Sequence, residues 1–315
     1  MKISGGVTLS GGVNLAPGSG GSAGGASYGY SSGGIRTFPQ PYIYYNTIDK
    51  FPFASNSNAT DVGDLTITRG DPAGQSSTEN GYSSGGSFPG AGNGYVNTID
   101  KFPFVSDDNA TDVGDLSESR SYGAGQSSSV SGYTSGGIAP PFSNTIDKFP
   151  FAADANATDV GDLTVARYAA SGQSSSEFGY SSGGIGYSSN EIDKFPFASD
   201  GNATDVGDLN PGGFSGSVGQ SSTTNGYVSG SHNHSKIQKF PFASDSNATI
   251  VGDLSELRSS PAGQSSAISG YASGGAIPDS VMSPTIDKFP FATDSNASDV
   301  GDLTVARQGA AGQQG

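Results

Sequence analysis

Cysteine and tryptophan are absent from the 315-residue chain, and histidine and methionine number two each. Without cysteine there is no disulfide framework, no thiolate metal site and no thiol nucleophile. The two histidines, His232 and His234, sit two apart in SHNHS and can face one side of an extended loop, but no third ligand accompanies them as a metal centre requires. Basic residues are scarce, 14 against 29 acidic ones, and the net charge of -15 opposes binding to nucleic acid phosphates or an anionic membrane. Nothing approaches the roughly 18 consecutive apolar residues of a membrane-spanning helix, so no membrane insertion is expected. Residues 1–27 lack the basic flank and apolar run of a secretory signal, so a soluble product without an obvious export route is expected. Nucleophile elbow, phosphate loop and HExxH are all missing.

What is present is repetition. A hydrophobic fraction of 33% with 50 glycines and a mean hydropathy of -0.34 would describe a flexible polypeptide on bulk composition alone. Yet twelve of the 17 phenylalanines fall in six copies of one Phe-Pro-Phe motif, starting at Phe51, Phe102, Phe149, Phe195, Phe240 and Phe289. Copies of the unit NTIDKFPFAADANATDVGDL (Asn144–Leu163) thus return every 45 to 51 residues, and such a period defines a repeat architecture with a shared core.

Each unit has a rigid and a variable part. From Phe-Pro-Phe to the Tyr of the next Gly-Tyr-x-Ser-Gly element (Tyr82, Tyr133, Tyr180, Tyr227, Tyr271) the spacing is 31, 31, 31, 32 and 31 residues. From each Tyr, beginning with Tyr30, to the following Phe-Pro-Phe it is 21, 20, 16, 15, 13 and 18, through unrelated loop residues. Four short strands are expected per unit: Gly-Gln-Ser-Ser, Gly-Tyr-x-Ser-Gly-Gly, Thr-Ile-Asp-Lys-Phe-Pro-Phe and Asp-Leu-Thr-Val-Ala-Arg. Alternation puts Asp147, Phe149 and Phe151 on one face of the third, and Pro150 marks a strand end. The chain stops after AGQQG where a Gly-Tyr strand is due, and Gly29–Gly34 supplies that strand at the other end. Pairing of the two ends would close a six-bladed β-propeller and remove exposed sheet edges.

The aromatic followed by Gly-Gly, the variable loop, the Asn-x-Ile-x-Lys-Phe strand and the later Arg resemble the kelch repeat over residues 28–315, departing from it in the missing fourth-strand Trp. The units are more similar to kelch-like arrays with FPFASDANATDVGDL and GYSSGG segments in structural proteins of marine bacteriophages, and SGGVTLSGGVNL resembles the Gly-rich N-termini of such virion proteins. The resemblance implies a kelch-like all-β propeller over 28–315, preceded by a Gly/Ser-rich arm and tether over 1–27. It implies a non-enzymatic virion component of the head-decoration or tail-fibre type, located in the particle. Its partners would be other virion proteins, bound by arm residues Ile3, Val7, Leu9, Val13 and Leu15, which can add β structure to a partner. The alternative is an adhesin that binds host surface glycan through Phe38, Tyr42, Tyr44, Tyr45, Phe88 and Tyr95 in the variable loops, where binding residues concentrate.

Several repeated side chains invite chemistry. Asp107, Asn109, Thr111 and Asp112 alternate as at the start of a calcium loop, as do Asp154, Asn156 and Asp159, but the sixth-position Gly and twelfth-position Glu are missing. Backbone-capping turns are the competing reading. No other cofactor is implied. Asn58, Asn109, Asn156, Asn202, Asn247 and Asn296 match Asn-x-Ser/Thr, which the same turn chemistry explains. Arg69, Arg120, Arg167, Arg258 and Arg307 each follow a Val-Gly-Asp-Leu aspartate by five residues, so Arg–carboxylate pairs between blades are expected, with Asp162 facing an Arg. In copy four Gly213 takes the Arg place and an irregular blade is expected. Gln75, Gln126, Gln173, Gln220, Gln264 and Gln313 are expected to ring the axial channel. The carboxylates are periodic, whereas a reaction site should be singular, so catalysis is disfavoured.

Overall fold

The computed structural model describes residues 26–37, 41–92, 94–186, 190–210 and 213–315. These residues form six four-stranded antiparallel sheets arranged as the blades of a β-propeller, with one 3-10 turn as the sole helical element among them. Blade 1 takes its inner strand, β1 (Ala311–Gln314), from the far end of the chain, and continues with β2 (Tyr28–Ser32), β3 (Thr47–Pro52) and β4 (Thr60–Asp64). The register Gly29↔Gln314 to Ser32↔Ala311 joins the two ends. The inner strands of blades 2 to 6 are Ala73–Ser76, Ala124–Ser127, Ser171–Ser174, Val218–Ser221 and Ala262–Ser265.

Glycine sets how closely the inner strands approach. A Cβ on Gly125 would collide with the carbonyl of Gly74, and the same contact runs through Gly172, Gly219, Gly263 and Gly312 back to Gly74. Only a residue without a side chain fits this crowded axis. The third strand ends on its proline as expected, because a ring nitrogen cannot continue the ladder. The outer strand is displaced from its expected place: Thr-Asp-Val-Gly-Asp (Thr158–Asp162 in blade 3) forms it, and Leu-Thr-Val-Ala lies beyond. There Asp159 Oδ1 accepts the Gly161 N–H at 3.1 Å, within a bulge where the register shifts between Ile146 and Asp147. The Asx side chain therefore bends a strand instead of ending one.

The core is laid down between blades. Tyr82, Ile99 and Leu116 of blade 2 pack on Phe149 and Ala157 of blade 3, with Phe151 at the margin, and equivalent clusters fill the other junctions. Phe149 and Phe151 thus face the preceding blade, as their alternation requires, and Tyr82 stacks on Phe151 at 4.8 Å.

Polar clamps complete each junction. The Gln75 amide donates to Ser84 Oγ in its own blade at 2.9 Å and to the Tyr133 carbonyl of the next at 3.0 Å. Gln126, Gln173, Gln220, Gln264 and Gln313 make the same bond to the next blade's Tyr carbonyl, and all six are at most 2% exposed. Gln75, Gln126, Gln173 and Gln220 do lie along the axial cavity, but their amide nitrogens are committed to the junctions. A buried amide needs partners, and the next blade's second strand supplies a carbonyl, so the side chain turns sideways into the junction.

Five arginines are buried against the aspartate of the next blade's Ile-Asp-Lys strand: Arg69–Asp100 at 2.7 Å, Arg120–Asp147 at 2.9 Å, Arg167–Asp193 at 3.0 Å, Arg258–Asp287 at 2.8 Å and Arg307–Asp49 at 3.3 Å. The pairs cross between blades as expected, but the carboxylate is not that of Val-Gly-Asp-Leu. Asp162 instead donates its backbone N–H to Asn202 Oδ1 at 3.0 Å. In copy four the Arg place belongs to Phe214, not Gly213: the Gly184 N–H donates to the Phe214 carbonyl, as Gly34 does to Arg69. The facing aspartate is correspondingly Gln238, fully buried and accepting the Asn210 N–H at 2.8 Å.

Candidate functional site on the loop face

Antiparallel order decides which loops share a face. The inner strand runs from one rim to the other and the second strand returns, so the variable loop after the second strand shares a face with the linker entering the inner strand. On this loop face each linker contributes one residue with positive φ: Asp71 (56°), Tyr122 (57°), Ala169 (55°), Gly216 (61°), Ser260 (51°) and Gly309 (58°). The N–H of each donates to the carbonyl of the one before it, from Tyr122 to Asp71 at 2.9 Å round to Asp71 to Gly309 at 2.7 Å. The six bonds form a collar around the axis, and left-handed backbone at Tyr122 and Ala169, which lack the local hydrogen-bonding of Asp, is its conformational cost.

Beneath the collar lies an axial cavity of about 150 Å³, lined by the Gly, Gln and Ser residues of the inner strands and by Asp71 and Tyr122. Asp71 is 7% exposed. Burial pushes its carboxyl up to about 7, while hydrogen bonds with the Tyr122 and Ser87 hydroxyls pull the other way. The Ser87 hydroxyl is 3.4 Å from Asp71 Oδ2. The charge on Asp71 and then burial raise the Tyr122 phenol. Burial also raises Tyr44, which hydrogen-bonds with Ser87 and feels Asp71. Tyr122 meets Tyr168 edge-on at 6.0 Å, and Tyr168 packs on Phe142 at 4.8 Å. Acid, phenols and aromatic rings are concentrated on blades 1 to 3, breaking the sixfold repetition.

Of the expected glycan contacts, Tyr42, Tyr44, Tyr45, Phe88 and Tyr95 belong to the loops of blades 1 and 2, with Tyr42 54% exposed and Tyr44 drawn into the Asp71 cluster. Phe38 and the arm residues Ile3, Val7, Leu9, Val13 and Leu15 lie outside the described residues. Asp71, Tyr122, Phe142 and Tyr168 escape a reading based on repeated positions. The signal for Asp71 and Tyr122 is the second residue after each Arg, which is Ala169, Ser260 and Gly309 in the other copies, and Tyr168 directly follows Arg167.

The calcium candidates lie on the opposite face, where each Asp and Asn has one side-chain oxygen engaged. Asp107 pairs with Lys50 at 2.9 Å and Asp154 with Lys101 at 2.5 Å, both across a junction. Asn109 and Asn156 accept the N–H groups of Asp64 and Asp115 in the preceding blade, and Asp112 and Asp159 accept those of Gly114 and Gly161. Thr111 and Asp112 open an outer strand. The capping is real but mostly joins blades, a use the spacing within one copy does not reveal. Among the described residues no three His, Asp or Glu side chains form a metal-binding group. His232 Nδ1 is 3.1 Å from the Ser215 carbonyl, and His234 stacks on Phe214 at 5.3 Å.

The fold and site define the chain as a six-bladed β-propeller with an acidic, aromatic axial mouth on its loop face. No protein-family model matches the chain, and no curated protein matches it either.

Proposed function

We propose that the chain is a non-enzymatic structural protein of a bacteriophage virion, of the head-decoration or tail-fibre type, in which the propeller is a rigid mount for its loop face. The observation that carries this reading is the division within each blade. Tyr, Phe, Gln and Asn contacts recur at the junctions, while the loops above them differ in length and residue type. A variable surface over a constant frame suits display and contact, not a single reaction. The similarity of the repeat to kelch-like arrays in phage structural proteins supports a place in a particle. Ile3, Val7, Leu9, Val13 and Leu15 would attach the propeller by adding β structure to another virion protein.

Mass spectrometry of purified particles should find this chain in stoichiometric amount; its absence would overturn the virion reading. Deleting residues 1–15 should abolish incorporation and leave the melting transition of the propeller unchanged, and unchanged incorporation would sink the attachment role. A second reading, a glycan-binding adhesin, draws on the exposed rings of Tyr42 and Phe142, 54% and 41% exposed, which could stack on sugar faces. A host polysaccharide array that captures wild type but not the Tyr42→Ala, Phe142→Ala double variant supports it, and an array with no binding removes it.

A further inference from the structure

Six aspartates are buried in the described residues, and five of them, Asp49, Asp100, Asp147, Asp193 and Asp287, each lie against a buried arginine at 2.7 to 3.3 Å. Asp71 is the sixth, and among the described residues it has no ion pair. The groups that face it are the Tyr122 and Ser87 hydroxyls, with Tyr44 nearby. A buried carboxylate is expensive to ionise without a cation. This one lines the axial cavity, and its Oδ1 fills the space where a Cβ on Gly309 would sit.

We propose that the axial mouth of the loop face is a receptor for a primary alkylammonium group, with Asp71 as its anionic anchor and the Tyr122 ring, backed edge-on by Tyr168, as its aromatic wall. Three features fit that chemistry. The cavity of about 150 Å³ admits an ammonium head on a slender stem, and excludes a bulky multi-ring ligand. The electron-rich faces of tyrosine attract cations, most strongly where water is displaced. The net charge of -15 draws cations toward the protein and repels anions. The site would accept a free small amine or a lysine side chain of a partner protein, and it operates whether or not the propeller belongs to a virion.

Isothermal titration of the full chain at low salt with methylammonium, with Nα-acetyl-lysine methylamide and with potassium as control distinguishes the sources. One saturable site for both amines, or for methylammonium alone, assigns the small head group. A site for the lysine compound alone assigns a partner's side chain. Binding at pH 8 should exceed that at pH 5.5 by on the order of tenfold, because the alkylammonium stays charged while the carboxyl takes up a proton. Asp71→Asn keeps a residue that tolerates left-handed backbone and should abolish binding at pH 8 without lowering the melting temperature. Should that variant fail to fold, the wild-type pH profile still decides. No amine site, equal binding of potassium, a flat pH profile, or undiminished binding by folded Asp71→Asn would each overturn the proposal.

Discussion

The junction between blades 4 and 5 and the other five junctions solve the same packing problem with opposite chemistry. At blades 2 and 3 the Arg120 guanidinium and the Asp147 carboxylate are each at most 1% exposed, and the backbone carbonyl of Thr134 takes a further arginine N–H at 2.8 Å. At blades 4 and 5 the arginine is replaced by Phe214, the aspartate by Gln238, and the neighbouring Thr134 position by Val228, all fully buried. The backbone bond survives, since Gln238 Oε1 accepts the Asn210 N–H just as Asp147 Oδ2 accepts that of Ser117 at 3.0 Å. What is conserved across the two solutions is the acceptor, not the charge. A buried ion pair can give way to apolar packing when both partners change together, since both desolvation costs vanish with them.

The largest effects should come from changing one partner alone. Asp147→Ala removes the buried counter-charge of Arg120 and leaves it only the partly exposed Glu118 at 3.1 Å, and Gln238→Asp puts a carboxylate against Phe214. Gln238→Asp should cost about 3–5 kcal/mol in a urea titration, the usual penalty for an unpaired buried charge, and Asp147→Ala less than that because Glu118 still faces the guanidinium. Arg120→Phe combined with Asp147→Gln copies the blade 4 to 5 solution and should recover most of that loss. If the double variant is no more stable than Asp147→Ala, the charged and apolar junctions are not interchangeable.

Asp71 sharpens the same contrast, being buried like Asp147 but without an arginine. Its carboxyl is raised to about 7 from an ordinary value of 3.8. The folded state therefore holds a proton that the unfolded state has already lost. Stability from this group is full below about pH 4 and is lost as pH rises through 7. Asp71→Asn should raise the melting temperature at pH 8 by several degrees relative to wild type, the gain shrinking toward zero at pH 4. A constant difference across that range would show that burial is not what perturbs the group.

The repeat, the six blades and the strand order were legible because spacing and residue type recur, and recurrence reports a shared core. Partners were harder to read. Arg167 lies five residues from Asp162 in sequence, yet its counter-ion Asp193 is 26 residues on, in the next blade. Sequence proximity favours contacts within a copy, whereas a propeller spends its side chains on contacts between copies. The single spacing of 32 between Phe195 and Tyr227 records the extra residue that brings Phe214, not Gly213, to the arginine's place. The Asp71 site was hidden for the converse reason. A repeat makes the constant positions conspicuous, and this site is built where the copies disagree.

The smallest contrast lies on the rim opposite the loops. Lys50, Lys101, Lys148, Lys194 and Lys239 each reach an aspartate of the following blade, at 2.5 to 2.9 Å. Between blades 6 and 1 the corresponding lysine is Lys288, and the aspartate position holds Asn56. That junction keeps its buried pair, Arg307–Asp49, at 3.3 Å, the longest of the five. The aspartates of the rim pairs are more than half exposed, so Lys148→Ala should cost no more than about 1 kcal/mol, and 1 M salt should erase most of the effect. Asn56→Asp should supply the missing sixth pair and gain only a few tenths of a kcal/mol at low salt, about the value of one exposed pair. A gain well above that, persisting in high salt, would place the weakness of this junction at the rim and not at its long buried pair.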